Sequence, residues 1–403
     1  MKSTIIFLFF FLFLSCQKEE FDSQITYLGV DAIKMVRLYP NSPVLMADGK
    51  AQLKFKVKAF TEIERTKVVN DEKVTYLDTM ELIYDRLPQS QILIQTADGK
   101  KIENFTYTTT EGSGTTKSFV AKIGQVSSTP VEVRLIEKPV LDYGPVTIPV
   151  VFHVLSTIEN RNECNGVTPE FVNKTLMSLN QVFSGTIYAA PSAVDTKVQF
   201  VLADKDPNGG VLTTPGINRE DKENETTAQM KKYVTDNLLW DPAKYLNIWV
   251  YNASPYNDAS KAPAYVLDNG VLIAGLKLKT VVDVSEVVFT KPEEIGITIS
   301  TSSIFNTNFE SVIGTFFGLL PTGCQQESDM TAGDLDFCPD TYTYQRMYSS
   351  AEKWTFATEK KDRIYYDSYN IMDEDSASST ISYDQAVRIR KVMESCPLRM
   401  MRQ

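Results

Sequence analysis

Ser311 and Thr315 lie four residues apart within SVIGTFFGLLP, residues 311–321, a segment that also carries Gly318 and Pro321. On an α-helix that spacing puts both hydroxyls on one face. Hydroxyls can hydrogen-bond a ligand, but a neutral hydroxyl or a proline ring cannot replace imidazole at a zinc ion. Val312 has no group that takes a proton from water. The 403-residue chain contains one histidine, His153. A catalytic zinc normally needs three protein ligands, so no shift of register supplies a three-histidine site and zinc is not expected. His153 lies in the apolar run VTIPVVFHVL (146–155) and reads as a satisfied structural histidine. Asp329, Asp334, Asp336 and Asp340 offer hard oxygens that suit calcium, set against the simpler reading of solvated loop acids. Glu310 and Asp373 are the other carboxylates that could face the same cleft as an acid–base pair.

The helix that must position this segment is well specified. Val312, Phe316 and Leu319 form one apolar ridge and Ile313, Phe317 and Leu320 a second, while Ser311, Gly314, Thr315 and Gly318 form a small, polar stripe. Such a stripe faces a ligand or admits a neighbouring element closely. Asn306 or Asn308 caps the start, and the helix should stop near Gly318, with Pro321 unable to extend it. Thr168-Pro169-Glu170 opens another helix with Val172, Leu176, Leu179 and Phe183 inward, a further helix is expected near 226–239, and Ser382-x-x-Gln385 starts a last one with Ala386, Ile389 and Met393 inward. Short strands at 148–155, 198–203 and 246–251 give an α+β domain, with a cleft between the sheet edge and the 311–318 helix.

Upstream, residues 24–138 read as an all-β domain. In AQLKFKVKAF (51–60), Ala51, Leu53, Phe55, Val57 and Ala59 alternate with Gln52, Lys54, Lys56 and Lys58, which predicts one core face and one wet face. Asp48-Gly49 and Asp98-Gly99 are tight-turn signals and EGSGTT (111–116) is a loop. The strand spacing fits an immunoglobulin-like sandwich. Residues 139–147 then form a linker and 148–396 the second domain.

Composition agrees with an exported protein of two domains, since 403 residues with 43% hydrophobic content exceed one typical core. A net charge of −10 argues against nucleic acid, whose phosphates it would repel. Residues 1–15 read as a lipoprotein signal: a basic start, an apolar run Ile5–Leu14 too short to span a bilayer, and Ser15 before Cys16, with Phe13 where leucine is usual. Cleavage before Cys16 would leave a lipidated tether over 16–23, anchored on a membrane. Cys164, Cys324, Cys338 and Cys396 then remain, with three possible connectivities. The expected pair is Cys324–Cys338, closing a loop of about 15 residues and contributing about 3 kcal/mol; Cys164–Cys396 follows by elimination.

The order of these blocks resembles the pappalysin and cytophagalysin branch of metzincin metalloproteases, and within it the zinc-dependent metalloproteinase lipoproteins of Bacteroidota. VTIPVVFHVL, VNKTLMSLNQVF (172–183), VQFVLADKDPNGG (198–210), GINR (216–219), YLNIWVYN (245–252), the edge-strand region 262–275 and YNIMDED (369–375) occur in the family's order. The family's zinc motif H-E-x-x-H-x-x-G-x-x-H falls on residues 311–321. The resemblance implies that Ser311, Thr315 and Pro321 stand where the zinc ligands would be and Val312 where the general base would be. It also implies that Gly318 is the retained turn glycine and Met372 the Met-turn residue. Gln17-Lys18-Glu19-Glu20 resembles the signal that sends such lipoproteins to the outer face of the outer membrane.

Together these readings predict a surface lipoprotein with a degenerate metalloprotease domain that binds a peptide, glycan or partner protein in the former substrate cleft. Its competitors are an active metallopeptidase with non-standard ligands and a surface scaffold or adhesin acting through the β domain.

Overall fold

The computed structural model describes residues 29–69, 72–82, 89–186, 190–253, 262–268, 271–287, 291–324, 336–345, 352–355, 362–373 and 379–399. The chain is mostly β with few helices. Residues 1–28, which hold the signal, Cys16 and the tether, lie outside that set, as do Asp329 and Asp334.

The first ten strands are β1 (Met35–Pro40), β2 (Val44–Met46), β3 (Leu53–Val69), β4 (Glu72–Glu81), β5 (Ile92–Thr96), β6 (Lys101–Ile102), β7 (Thr106–Tyr107), β8 (Thr116–Ile123), β9 (Val126–Ser127) and β10 (Val131–Ile136). They form two sheets, one of order β1-β3-β4 with β7 added to β3, the other β2-β10-β8-β5-β6 with β9 added to β8. Alternation decides which side chains lie between the sheets: Leu53, Phe55, Val57 and Ala59 of β3 are buried, and Phe55 meets Phe119 of β8 with ring centroids 4.9 Å apart. Asp48 accepts from the backbone N–H of Lys50 and Ala51, and Gly49 and Gly99 take φ of 74° and 90°, so both Asp-Gly pairs make the turns their chemistry suits.

The opposite face of β3 is not wholly wet. Lys58 is only 8% exposed, its ammonium 3.1 Å from Glu81 Oε1 and 3.8 Å from the centre of the Tyr365 ring. Lys56 pairs with Asp367 at 3.0 Å and the Lys54 ammonium lies 5.0 Å from the Tyr369 ring centre. Period-two alternation cannot reveal this, because the covering residues come from some 300 positions downstream.

The later strands are β11 (Val146–Ser156), β12 (Val198–Leu202), β13 (Ile217–Asp221), β14 (Leu246–Tyr251), β15 (Ala264–Leu267), β16 (Leu278–Val281), β17 (Ile297–Ser300), β18 (Gly323–Cys324), β19 (Tyr344–Gln345), β20 (Glu352–Trp354) and β21 (Tyr365–Asp367). A five-stranded sheet is centred on β11, which pairs in parallel with β12 through its first half, with β13 through its second, and with β14 along the other edge; β17 lies beyond β14. Strands covered on both faces read as continuous apolar runs, and residues 148–155 of β11 are buried throughout. The expected edge strand in 262–275 does not join this sheet. β17 holds the place beside β14, and β15 pairs with β16 as a separate ribbon.

Among the described residues, five α-helices complete the second half: α1 (Arg161–Gly166), α2 (Pro169–Phe183), α3 (Thr227–Asn237), α4 (Phe309–Phe316) and α5 (Tyr383–Ser395). Thr168 caps α2 by accepting from Phe171 N, and Asn180 clasps β12 through both Phe200 N (2.7 Å) and Phe200 O (2.8 Å). Thr226 and Gln229 form a capping box on α3, and Ser382 and Gln385 form one on α5.

The disulfide expectations are corrected. Cys164, Cys338 and Cys396 are buried free thiols; the Cys324 side chain lies outside the described set. Cys164 belongs to the main core and Cys396 to a separate apolar cluster with Val392 and Ile273, so elimination paired two residues that pack in different places. Burial pushes both thiols up to about 11, and it also raises that of Cys338, aided by Asp336 and Asp340.

Candidate functional site

Helix α4 begins where Asn308 accepts from Ser311 N at 3.0 Å. It ends in a Schellman motif: Gly318 N donates to Thr315 O and Leu319 N to Gly314 O, both at 2.9 Å, with Gly318 at φ 90°. A Cβ on Gly318 would sit 2.6 Å from Val392 of α5, so both backbone angle and space require glycine. Arg388 of α5 donates from Nε to Gly318 O (2.5 Å) and from its guanidinium to Ala274 O (2.7 Å), placing a buried cation at the helix C-terminus, where the macrodipole favours it.

The apolar ridges predicted for α4 are core. Ile313, Phe316, Phe317 and Leu319 are buried, with Val312 and Leu320 half-buried. On the small stripe, Gly314 is buried and a Cβ there would lie 3.0 Å from Ile371 Cδ1 and 3.3 Å from Met372 Sδ. At this position, then, the small residue admits a neighbouring element, and that element is the turn containing Met372. Ser311 and Thr315 remain half-buried and Pro321 exposed.

The 370–373 turn is held from several sides. Asn370 accepts from Met372 N at 2.9 Å and exchanges two amide hydrogen bonds with Gln385, the same residue that closes the α5 capping box. Thr322, just after α4, donates to Met372 O and is also hydrogen-bonded to the Asp373 carboxylate. Gly314, Gly318, Thr322, Met372 and Asp373 are thus one assembly. The sequence pointed to Gly318 and Met372 but not to Thr322 or the Asn370–Gln385 pair, because those contacts join residues without local pattern. Glu310 and Asp373 have separate partners: Glu310 accepts from Ser178 of α2, and Asp373 is bound to Thr322.

His153 is fully buried between Asn218 and Asn247, with Trp240 edge-on at 5.2 Å. Asn247 accepts from Trp240 N and donates to Trp240 O, which fixes its amide orientation and turns its oxygen toward His153 Nε2. Nε2 therefore carries the proton and Nδ1 accepts from Asn218. Burial pulls the imidazole down to about 4, against the opposing pull of the Asn247 bond, so this histidine is neutral and fully engaged.

Of the acidic-loop residues, Asp336 accepts from Cys338 N and the Thr341 hydroxyl, and Asp340 accepts from the Ser382 hydroxyl and from Asp384 N at the start of α5. Both act as caps. Burial and then the neighbouring Asp384 raise the Asp340 carboxyl up to about 7. Asp340, Asp373, Tyr366, Asn370, Ser42 and Ser192 line a polar cavity of about 60 Å³ where the two halves meet. That volume suits a water or two rather than a substrate.

The zinc that the resemblance implies does not fit the residues at the α4 positions. Ser311, Val312, Thr315 and Pro321 bring neither imidazole nor carboxylate, and the one imidazole is committed within the sheet core. Among the described residues no three His, Cys, Asp or Glu side chains gather as a metal-holding group.

No protein-family model matches the sequence, and no curated protein matches it. Among solved structures the chain is similar to mature mirolysin of Tannerella forsythia in complex with a cleaved peptide, at 20% identity over 64% of this chain and 96% of that one, with a TM-score of 0.43. A promirolysin mutant from the same organism matches at 19% identity over 64% and 84%, TM-score 0.42, and mirolysin in complex with a compound at 20% over 64% and 97%, TM-score 0.43.

Proposed function

We propose that this protein is a lipid-anchored surface protein whose second domain, residues 148–396, is a metalloprotease-like scaffold that binds polypeptide without hydrolysing it. The observation that carries the proposal is the assembly of α4, its Gly318 turn and Met372 beside a small stripe whose Ser311 and Thr315 hydroxyls are half-buried, with Pro321 exposed beyond it. Helix, turn and Met372 are held together, while no side chain at Ser311, Val312, Thr315 or Pro321 can ligate zinc or take a proton from water. A groove along that stripe would offer hydroxyls and backbone groups, which suffices for recognition. The immunoglobulin-like domain, residues 24–138, then spaces the groove from a membrane reached through the lipid on Cys16, with 139–147 as linker. No helix among the described residues is long and apolar enough to cross a membrane.

The test pairs metal analysis of the purified chain with a binding and cleavage assay on an unfolded casein. Expected are binding without chelator-sensitive cleavage, sub-stoichiometric zinc, and about tenfold weaker binding in Thr315→Arg, whose side chain would fill the stripe. One zinc per chain, or casein cleavage abolished by EDTA, would overturn the proposal.

A further inference from the structure

Strand β3 runs past the body of its sheet. β1 pairs with it only as far as Phe60, and from Thr61 to Val69 its sole partner among the described residues is β4. Thr61 is still buried, so at ~3.3 Å per residue the hairpin, from Glu62 to Val69 of β3, reaches about 25 Å beyond the sandwich. Its residues are largely exposed, yet Val68 (66%), Leu77 (64%), Val74 (40%) and Tyr76 (39%) are apolar or aromatic. Arg65 pairs with Asp78 at 2.6 Å and Lys67 lies over the Tyr76 ring, so cross-strand contacts stiffen the arm. The outer edge of β4 is unpaired among the described residues, which leaves a row of backbone donors and acceptors open to another strand.

From these features we propose that the β3–β4 arm is a homodimerisation element, in which β4 pairs antiparallel with β4 of a second copy about a two-fold axis at Leu77. The sequence of β4, EKVTYLDTME, is self-complementary in that register. Leu77 faces Leu77 of the second copy, Val74 faces Met80 of the second copy, and Lys73 faces Glu81 of the second copy with opposite charge. A two-fold axis normal to the sheet requires facing residues of equal parity, which leaves few alternatives. Tyr76 faces Asp78 in this register; centring on Tyr76 instead loses the Val74–Met80 and Lys73–Glu81 pairs, and centring on Thr75 sets Glu72 against Asp78, a like-charge pair. Joining the edges would give one continuous four-stranded ribbon and extend the apolar row across both copies. Two lipid-anchored chains would thereby be bridged without use of the α4 groove, so this surface stands apart from the binding function proposed above.

The experiment uses the full chain in detergent, with sedimentation across a dilution series and oxidation of Leu77→Cys. A concentration-dependent dimer is expected. Leu77→Cys should give a band of doubled mass on a non-reducing gel that the unsubstituted chain, with its own cysteines, does not give. Leu77→Asp sets two carboxylates face to face and should raise the half-dimerisation concentration by about tenfold or more. A chain that stays monomeric at every concentration overturns the proposal. So does a dimer that neither cross-links through residue 77 nor weakens in Leu77→Asp. Casein binding by the monomeric Leu77→Asp chain separates this outcome from failure of the groove.

Discussion

Two buried titratable residues pull stability in opposite directions across the acidic range. His153 has a folded value of about 4 against 6.5 for the free side chain, so between those values the unfolded chain binds the extra proton and stability falls as pH drops. At 1.36 kcal/mol per unit, that loss is about 3 kcal/mol. Asp340 behaves inversely: its carboxyl keeps a proton up to about 7 where the unfolded chain has lost it above 3.8, so stability is greatest below the unfolded value and declines as pH rises toward 7. Replacing Asp340 by asparagine removes the second slope and leaves the first. The urea midpoint of Asp340→Asn, relative to the unsubstituted chain, should therefore climb as pH rises from about 4.5 to about 7.5. A difference that stays flat with pH would show that Asp340 is ionised in the folded protein throughout.

At the scale of elements, the row Lys54, Lys56 and Lys58 on β3 meets Tyr365, Asp367 and Tyr369 at and just beyond β21. Lys58 is its buried member, with its carbon stem packed and its charge shared between Glu81 and an aromatic face. Lys58→Ala should cost about 1–3 kcal/mol in urea unfolding, and Tyr365→Leu should couple to it by about 0.5 kcal/mol or more in a double-mutant cycle. Strict additivity would mean that the ammonium and the ring do not interact. The row also shows where sequence stops being informative. The alternation of β3, the Asp-Gly turns, the caps of α2, α4 and α5, and the stop of α4 at Gly318 are all set by neighbours within a few residues, and all were legible. Thr226 and Gln229 carry the same capping signal for α3. Tyr365 over Lys58, Asp340 capping α5, and Asn370 locked to Gln385 are meetings of distant segments, and no periodicity records them. The cysteines belong with these, because a count of thiols says nothing of which core each one enters.

Over the whole molecule, one apolar cluster runs without a break from Ile33 through Phe119, Leu141 and Phe152 to Met393, spanning both halves of the chain. Arg390 of α5, nearly inaccessible, adds hydrogen bonds to Gly144 O (2.9 Å) and Lys197 O (3.3 Å), which bind the connecting segment to the second half. A shared core of that kind makes the unfolding of either half expose apolar surface of the other, so the two should unfold together. All three tryptophans, Trp240, Trp249 and Trp354, lie in the second half and provide a probe confined to it. Leu53 is fully buried in the first half, and Leu53→Ala leaves a cavity expected to cost about 2–5 kcal/mol. If the halves are coupled, that substitution lowers the urea midpoint of tryptophan fluorescence by as much as that of far-ultraviolet circular dichroism. A fluorescence midpoint unmoved by Leu53→Ala, with the dichroism split into two steps, would show two bodies that touch without sharing their stability.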